Sequence, residues 1–286
     1  MKRVIISADD FGLSEAVNEA VEAAHRDGIL TSASLMMAAP ATADAVRRAR
    51  RLPDLAVGLH LVLVDGPAVL PRAAIPDLVD TAGRFGADQA RRGFAYGFRP
   101  GLRRQLAAEI AAQFAAFAAT GLVLDHANAH KHMHLHPGVA RMMIEAGRRF
   151  DLRALRVPAE PPAVLAASGT RPGIGDRALY LWSGVLRRMA RRAGLMVNDH
   201  AFGIAWSGHM TAARLRRLAP NLPEGLSEIY FHPASWRDPG LVALMPDYEH
   251  EAEFQALQDP ELAAALPART TYGEAWRAAP TALPNG

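Results

Sequence analysis

The feature that most constrains the fold is an alternation along the chain, in which short β-rich runs are separated by longer stretches with helical periodicity. "RVIIS" (3–7), "SASLMM" (32–37), "LAVGLHLVL" (55–63), "LVLDHAN" (122–128) and "LRALRVP" (152–158) read as strands, with weaker candidates in "LMVND" (195–199) and "LSEIYFHP" (226–233). Between them, Ser14 can cap a helix that runs to about His25 and is closed by Gly28, and Pro40 leads into a helix ending near Arg51. Leu102, Leu106, Ile110, Phe114 and Phe117 are spaced to form one apolar helix face, and Pro137 suits the first turn of another helix. Repeated βα units of this kind fold as an α/β protein, around a parallel sheet or barrel.

With 286 residues, 50% of them hydrophobic, the chain is long enough to bury a large core, and one domain is expected over 1–286. A loop-rich insertion after the third strand, about 64–100, carries several Gly and Pro and is a candidate substrate lid. The C-terminal extension, about 236–286, shows no clear periodicity.

Acidic and imidazole side chains cluster where these strands end. Asp9 and Asp10 leave the first strand, His60 lies in the third, a cluster begins at His126 after the fourth, and His232 follows the run 226–231. In parallel α/β folds the C-terminal strand ends share one rim, so residues distant in sequence can meet there. Taken singly, each has a bland reading. Asp9–Asp10 can be an acidic loop, His60 a buried histidine satisfied by a carbonyl, and His232 a packing residue. Asp9 and Asp10 can serve one site only if the chain turns, which Gly12 permits.

Five of the eleven histidines fall within "HANAHKHMHLHP" (126–137). On an extended segment His130, His132, His134 and His136 would all point to one side, about 6 to 7 Å apart in succession. Because the chain has no cysteine, disulfides and thiolate ligands are excluded, and a metal must be held by His, Asp, Glu or backbone oxygen. Four strand ends delivering Asp or His to one rim favour metal-assisted hydrolysis over structural roles. Two other readings compete with it: a non-catalytic metal-binding protein that uses the His tract alone, and a glycosidase using Asp9 and Asp10. Neighbouring residues rarely flank a scissile bond from opposite sides, which counts against the glycosidase.

The formal charge is only +3; of 32 basic residues two are lysines (Lys2 and Lys131), leaving 30 arginines. No nucleic-acid motif accompanies them, and nucleic acid is not expected as a partner. Asp9 and Asp10 interrupt the first apolar run too early for a signal peptide, and no run reaches about 18 apolar residues, so the cytoplasm is the expected location. The stretch 178–194 combines Leu179, Trp182, Leu186 and Met189 with four arginines. It can be a core-packing helix with a solvated basic face or an element resting on the inner face of a membrane.

"ADDFGLS", "LTSASLMM", "VGLHLVL", "HANAHKHMH" and "YFHPA" occur in the order and approximate spacing of the YdjC-like carbohydrate deacetylases, which the chain resembles over about residues 3–235. The resemblance implies a distorted (β/α) barrel similar to a TIM barrel, and metal-dependent removal of acetyl from an N-acetylated amino sugar. It implies Asp10, His60 and His130 as ligands of one divalent ion, Mg or Zn, with Asp9 as general base and His232 as general acid. His132, His134 and Arg156 are expected along the sugar site. Where many relatives carry an acidic residue in the fourth motif this chain has Asn128, which leaves its role open, as are those of His126 and His136.

The segments "HKHMHLHP", "RVPAEP" and "FGIAWSGHMT" look most like the hopanoid-biosynthesis branch, HpnK. That likeness implies the N-acetylglucosamine group of a glycosylated hopanoid as substrate, with soluble chitooligosaccharides as the alternative. The expected partners are therefore an N-acetylated sugar or glycolipid, with peripheral membrane contact, and a homodimer is compatible with the resemblance.

Overall fold

A computed structural model describes residues 1–278. The strands are β1 (Lys2–Phe11), β2 (Ser32–Leu35), β3 (Ala56–Leu61), β4 (Ala127–Ala129), β5 (Ala154–Leu155), β6 (Met196–Val197), β7 (His200–Phe202), β8 (Gly225–Phe231) and β9 (Ala268–Arg269). They pair in the order β6-β5-β4-β3-β2-β1-β8-β7, all in parallel, with β9 alongside β1. The eight strands of the main path curl into a half-barrel surrounded by helices, in line with the expected distorted α/β barrel.

Its two edges come from a single run of chain. Residues 196–197 pair with β5, and three residues later 200–202 pair with β8. Asn198 sits at the changeover, where its side-chain carbonyl accepts from the Val157 N–H at 2.7 Å and its amide donates to the Val157 carbonyl at 2.8 Å. A side-chain amide thus replaces a strand pairing that the kinked backbone cannot make. Periodicity is invisible over such short pieces, so "LMVND" reads in sequence only as a weak single strand.

Strand alternation sorts the side chains. Val4, Ile6 and Ala8 of β1 join the main core between sheet and helices, whereas Ile5 packs in the lumen with Ala154, Leu226 and Tyr272. Continuing on the lumen face of β1, Ser7 and Asp9 bond to residues of β8, β4 and the end of β5. The upper lumen is therefore polar, with Ser34, His60, His126, Asn128, Arg156 and Glu228 all buried. Gly58 leaves room for one of them, because a Cβ there would come within 2.4 Å of the His126 ring.

The helices follow sequence cues closely. Ser14 caps Glu15–Asp27, its hydroxyl accepting from the Val17 N–H at 3.4 Å. Leu102, Leu106, Ile110, Phe114 and Phe117 are buried along Pro100–Ala119, where each of the larger side chains contributes about 1.5–3 kcal/mol. The insertion is more ordered than its sequence suggests. It has bridges Pro67↔Arg84 and Val79↔Phe85 and a helix Gln89–Phe98 capped by Asp88. Buried Glu109 fastens it by accepting from the Val69 and Leu70 N–H groups at 2.8 and 2.9 Å. The C-terminal extension, which shows no clear periodicity in sequence, forms helices Pro239–Leu244, His250–Leu257, Pro260–Ala265 and Tyr272–Ala278; 279–286 lie outside the described residues.

Candidate metal centre

The strand β1 ends in an irregularity between Ala8 and Phe11, and Asp10 adopts a left-handed backbone (φ 60) that costs a non-glycine residue about 1–2 kcal/mol. Regular extended geometry would send Asp9 and Asp10 to opposite faces; the twist at Asp10 turns both into one cavity. The turn therefore occurs at the second aspartate itself, two residues before Gly12 (φ 96).

Asp10 Oδ1 lies 3.3 Å from His60 Nε2 and 3.1 Å from His130 Nδ1, and these two nitrogens are 3.4 Å apart. Donors about 2.1 Å from a common ion in tetrahedral or octahedral geometry stand about 3.0–3.4 Å from one another, so the three atoms fit one face of a metal's coordination shell. Both Asp10 carboxylate oxygens are buried and have no hydrogen-bond donor. A buried carboxylate without a donor is costly unless a cation satisfies it, which again fits a metal. Burial alone would raise the pKa of Asp10, but His130, and after it His60, outweigh burial when they are protonated and hold the carboxyl well below its ordinary range. Among the described residues, Asp10, His60 and His130 are the one group of three or more such side chains with ligand atoms all within 4.8 Å of one another.

The His60 ring is oriented from behind. Its Nδ1 stands 2.7 Å from Asn128 Oδ1, an acceptor only, so Nδ1 carries the proton and Nε2 presents its lone pair toward Asp10 and His130. The Asn128 amide nitrogen donates to Ser34 Oγ at 2.9 Å and to Asp9 Oδ1 at 3.3 Å. The other Asp9 oxygen accepts from Arg156 Nη1 at 2.5 Å. Burial pushes the Asp9 pKa up, but the Arg156 guanidinium and His60 more than reverse this and keep the carboxylate ionised.

His232 follows β8. Its ring packs against Tyr230 and Tyr248, with centroids 5.9 and 5.3 Å away, and its Nδ1 is buried without a partner. Its carbonyl accepts from His250 Nδ1 at 2.6 Å and its N–H donates to Glu253, fixing the backbone on both sides. Burial lowers the imidazole pKa against the opposing pull of Asp10 and Asp9, so His232 is neutral near pH 7.

These groups border a cavity of about 1100 Å³. Asp9, Asp10, His60, His130, His132 and His232 line it, together with Tyr230 and Tyr248. Apolar residues such as Leu13, Met36, Leu179, Ile204 and Leu241 form much of the remaining wall, and Asp65, Pro67, Arg84 and Gln89 bring the insertion to its mouth.

Two expectations differ from the observed placement. The tract from His130 is not extended: His130–Leu135 form a 3-10 turn with left-handed backbone at Lys131 (φ 49) and His132 (φ 53). The four imidazoles consequently diverge. His130 faces Asp10, and His132 Nε2 meets the Tyr230 hydroxyl at 3.0 Å. His134 is buried with Nε2 on the Arg156 carbonyl at 3.0 Å, and His136 caps helix Pro137–Gly147 by accepting from the Gly138 and Val139 N–H groups. His126 fills the lumen beneath them, stacked on Tyr272 at 5.0 Å. Secondly, His134 and Arg156, both expected along the sugar site, are fully buried and do not border the cavity. Sequence reasoning overlooked Tyr230 and gave Glu228 no firm role. The alternation in "LSEIYFH" places 228, 230 and 232 on one face and was the available signal.

The fold and site together define an α/β-barrel protein with a candidate metal centre of one carboxylate and two imidazoles at the strand-end rim. The chain belongs to the YdjC-like protein family, which it matches over residues 3–268. A carbohydrate deacetylase of Vibrio cholerae serotype O1 (strain M66-2) is 37% identical over 150 residues, covering 52% of this chain and 57% of that protein. The chain thus spans little more than half the length of this curated relative. A carbohydrate deacetylase of Thermoanaerobacter pseudethanolicus is 26% identical over 263 residues, covering 92% and 93% of the two chains. Among solved structures, an Enterococcus faecalis V583 protein described as a candidate for cellobiose-phosphate cleavage superposes with a TM-score of 0.71 at 23% identity, over 95% of this chain and 97% of that one. This likeness shows the shared fold.

Proposed function

We propose that the protein is a metal-dependent carbohydrate deacetylase that hydrolyses the acetamido group of an N-acetylated amino sugar. The observation that carries this reading is the convergence of Asp10, His60 and His130 on one point, with Asp9 and His232 bordering the same cavity. An amide is a weak electrophile with a poor leaving group; its hydrolysis requires a polarised carbonyl, an activated water and a proton for the departing nitrogen. A divalent ion, Mg or Zn, held by Asp10, His60 and His130 would supply Lewis acidity toward the carbonyl and the water. Asp9, ionised and braced by Asn128 and Arg156, accepts the proton of the attacking water. His232, neutral at rest, takes up a proton, delivers it to the amine as it leaves, and returns to the neutral imidazole. His132, tied to Tyr230 at the cavity wall, positions the sugar.

Within this reading, the substrate is the N-acetylglucosamine group of a glycosylated hopanoid, encountered at the inner face of the membrane. The motif resemblance supports it, as does the apolar lining of the cavity, which suits a bulky lipid aglycone. Further support comes from the helix Ile174–Arg192, whose Leu179 borders the cavity while Ile174, Leu181 and Trp182 are 89%, 76% and 49% exposed. No helix among the described residues is long and apolar enough to cross a membrane, so contact of this kind would be peripheral.

The test is acetate release from an N-acetylglucosaminyl hopanoid and from N,N'-diacetylchitobiose, for zinc- or magnesium-loaded protein beside the His130→Ala variant. Release from the hopanoid alone, lost in the variant, is expected; release from the chitobiose alone would transfer the assignment to soluble sugars. Release from neither, with metal still tightly bound after the substitution, would refute the deacetylase reading.

A further inference from the structure

Beneath the metal centre, a continuous chain of polar side chains fills the barrel lumen. Arg156 is fully buried, and four of its five N–H groups are engaged: Nη1 with Asp9 Oδ2 at 2.5 Å, Nη2 with Glu228 Oε1 at 2.7 Å and Ser7 Oγ at 3.0 Å, and Nε with Glu228 Oε2 at 2.9 Å. The fork-to-fork pairing with Glu228 fixes the guanidinium plane, while the Tyr230 ring, 4.7 Å from its carbon, covers one face. Glu228 is held in turn from below. The Tyr272 hydroxyl lies 2.6 Å from Glu228 Oε2, and Ser7 Oγ donates to Glu228 Oε1 at 2.6 Å. Tyr272 opens the C-terminal helix Tyr272–Ala278, and its ring is fully buried against His126.

We propose that Arg156, Glu228 and Tyr272 form a buried strut that fixes the direction of the Asp9 carboxylate, making the C-terminal helix a positioning element for the base. This inference rests on the deacetylase reading for its kinetic consequence. Three charges removed from water form an expensive way to fill a lumen, since apolar residues of the same volume often stabilise a protein equally well or better. What the network adds is direction. Arg156 holds Asp9 Oδ2 and Asn128 holds Oδ1, so the carboxylate cannot rotate without losing a partner at one end. Without the tyrosine, Glu228 loses a bond at one oxygen, and the guanidinium paired with it is freer to tilt. Tyr272 lies beyond residue 268, where the family match ends, so this chain supplies the foot of the strut from a segment that the family match does not include. Arg156, expected from sequence beside the sugar, acts in this account through Asp9 and does not touch substrate.

The experiment uses the full chain and three variants: Arg156→Lys, which keeps the buried charge and loses the fork; Glu228→Gln; and Tyr272→Phe, which deletes one hydroxyl and keeps the ring. For each, kcat and KM are measured on the N-acetylated sugar that the wild type cleaves, zinc affinity by chelator competition, and the Asp9 side-chain position by crystallography. Arg156→Lys should lower kcat on the order of 100-fold, the effect of a base displaced by about 1 Å. Tyr272→Phe should lower it roughly threefold to tenfold, the loss of one hydrogen bond acting through Glu228. KM and zinc affinity should not change, and Asp9 should be turned from its wild-type position while Asp10, His60 and His130 stay in place. An unchanged kcat in both Arg156→Lys and Tyr272→Phe, or a fall matched by equal loss of zinc affinity, would overturn the strut; an effect in Arg156→Lys alone would overturn the part assigned to Tyr272. If the wild type releases acetate from no substrate, the deacetylase reading fails separately. The crystal structures then decide, with an unmoved Asp9 in Arg156→Lys refuting the strut and a rotated one supporting it.

Discussion

Asn128 joins His60 to Asp9: its side-chain oxygen accepts the His60 Nδ1–H at 2.7 Å, and its amide nitrogen reaches Asp9 Oδ1 at 3.3 Å. One side chain therefore sets the tautomer of a candidate ligand and touches the candidate base. Asn128→Ala should weaken zinc binding by about 10- to 100-fold, the usual effect of removing the group behind a ligating histidine. Asn128→Asp, which keeps the acceptor, should retain most of the affinity. Competition with a chromophoric chelator reads both; equal affinity for Asn128→Ala and wild type would refute the orientation argument.

The histidine tract separates into members with and without a role at the metal. Zinc binding should fall sharply in His60→Ala and His130→Ala and stay near wild type in His136→Ala, whose ring caps a helix. Isothermal titration of the three variants makes the comparison. Tight zinc binding that survives His60→Ala but not His136→Ala would instead favour a carrier that uses the tract.

Asp9 and Asp10 should differ in kind although they are neighbours. Asp9→Asn should leave zinc bound and lower kcat about 10²- to 10⁴-fold, the range for loss of a general base. Asp10→Asn should lower zinc affinity itself. Metal content and turnover measured on the same preparations distinguish the two, and metal loss in Asp9→Asn would reverse the assignment.

His134 predicts acid lability. Burial lowers its pKa from 6.5 to about 3, so between those values the unfolded chain binds a proton that the folded chain does not. Stability should thus be complete above pH 6.5 and fall as pH drops toward 3, by on the order of 3 kcal/mol at pH 4 from this group. Urea unfolding of metal-free protein at pH 7, 5.5 and 4 gives the slope. His134→Gln should flatten it, and an identical slope in that variant would place the lability elsewhere.

The exposed apolar stripe of helix Ile174–Arg192 gives a membrane test independent of the active site. The protein should float with anionic liposomes at low salt and release as salt rises, because Arg188 and Arg192 continue the stripe. Leu181→Asp should reduce flotation while leaving turnover of a soluble substrate unchanged. Wild-type protein that stays unbound at low salt would remove membrane contact from the functional reading.

The sequence by itself determined what short-range patterns encode. Strand and helix alternation, the Ser14 cap and the apolar face of Pro100–Ala119 depend on spacing within a few residues, and all are found in the structure. The ordered motifs identified the family, and placing Asp10, His60 and His130 at strand ends was enough to expect them on one rim. Tertiary structure decided the rest because it turns on backbone twists and distant contacts. A left-handed residue at Asp10 brings both aspartates to one cavity, and two more at Lys131 and His132 scatter histidines that an extended strand would have aligned. Arg156 is expected from the sequence only along the sugar site; two carboxylates more than 70 positions away, at Asp9 and Glu228, draw it into the lumen. A charge is stable in that interior only when its partners are already there, and nothing local to Arg156 announces them.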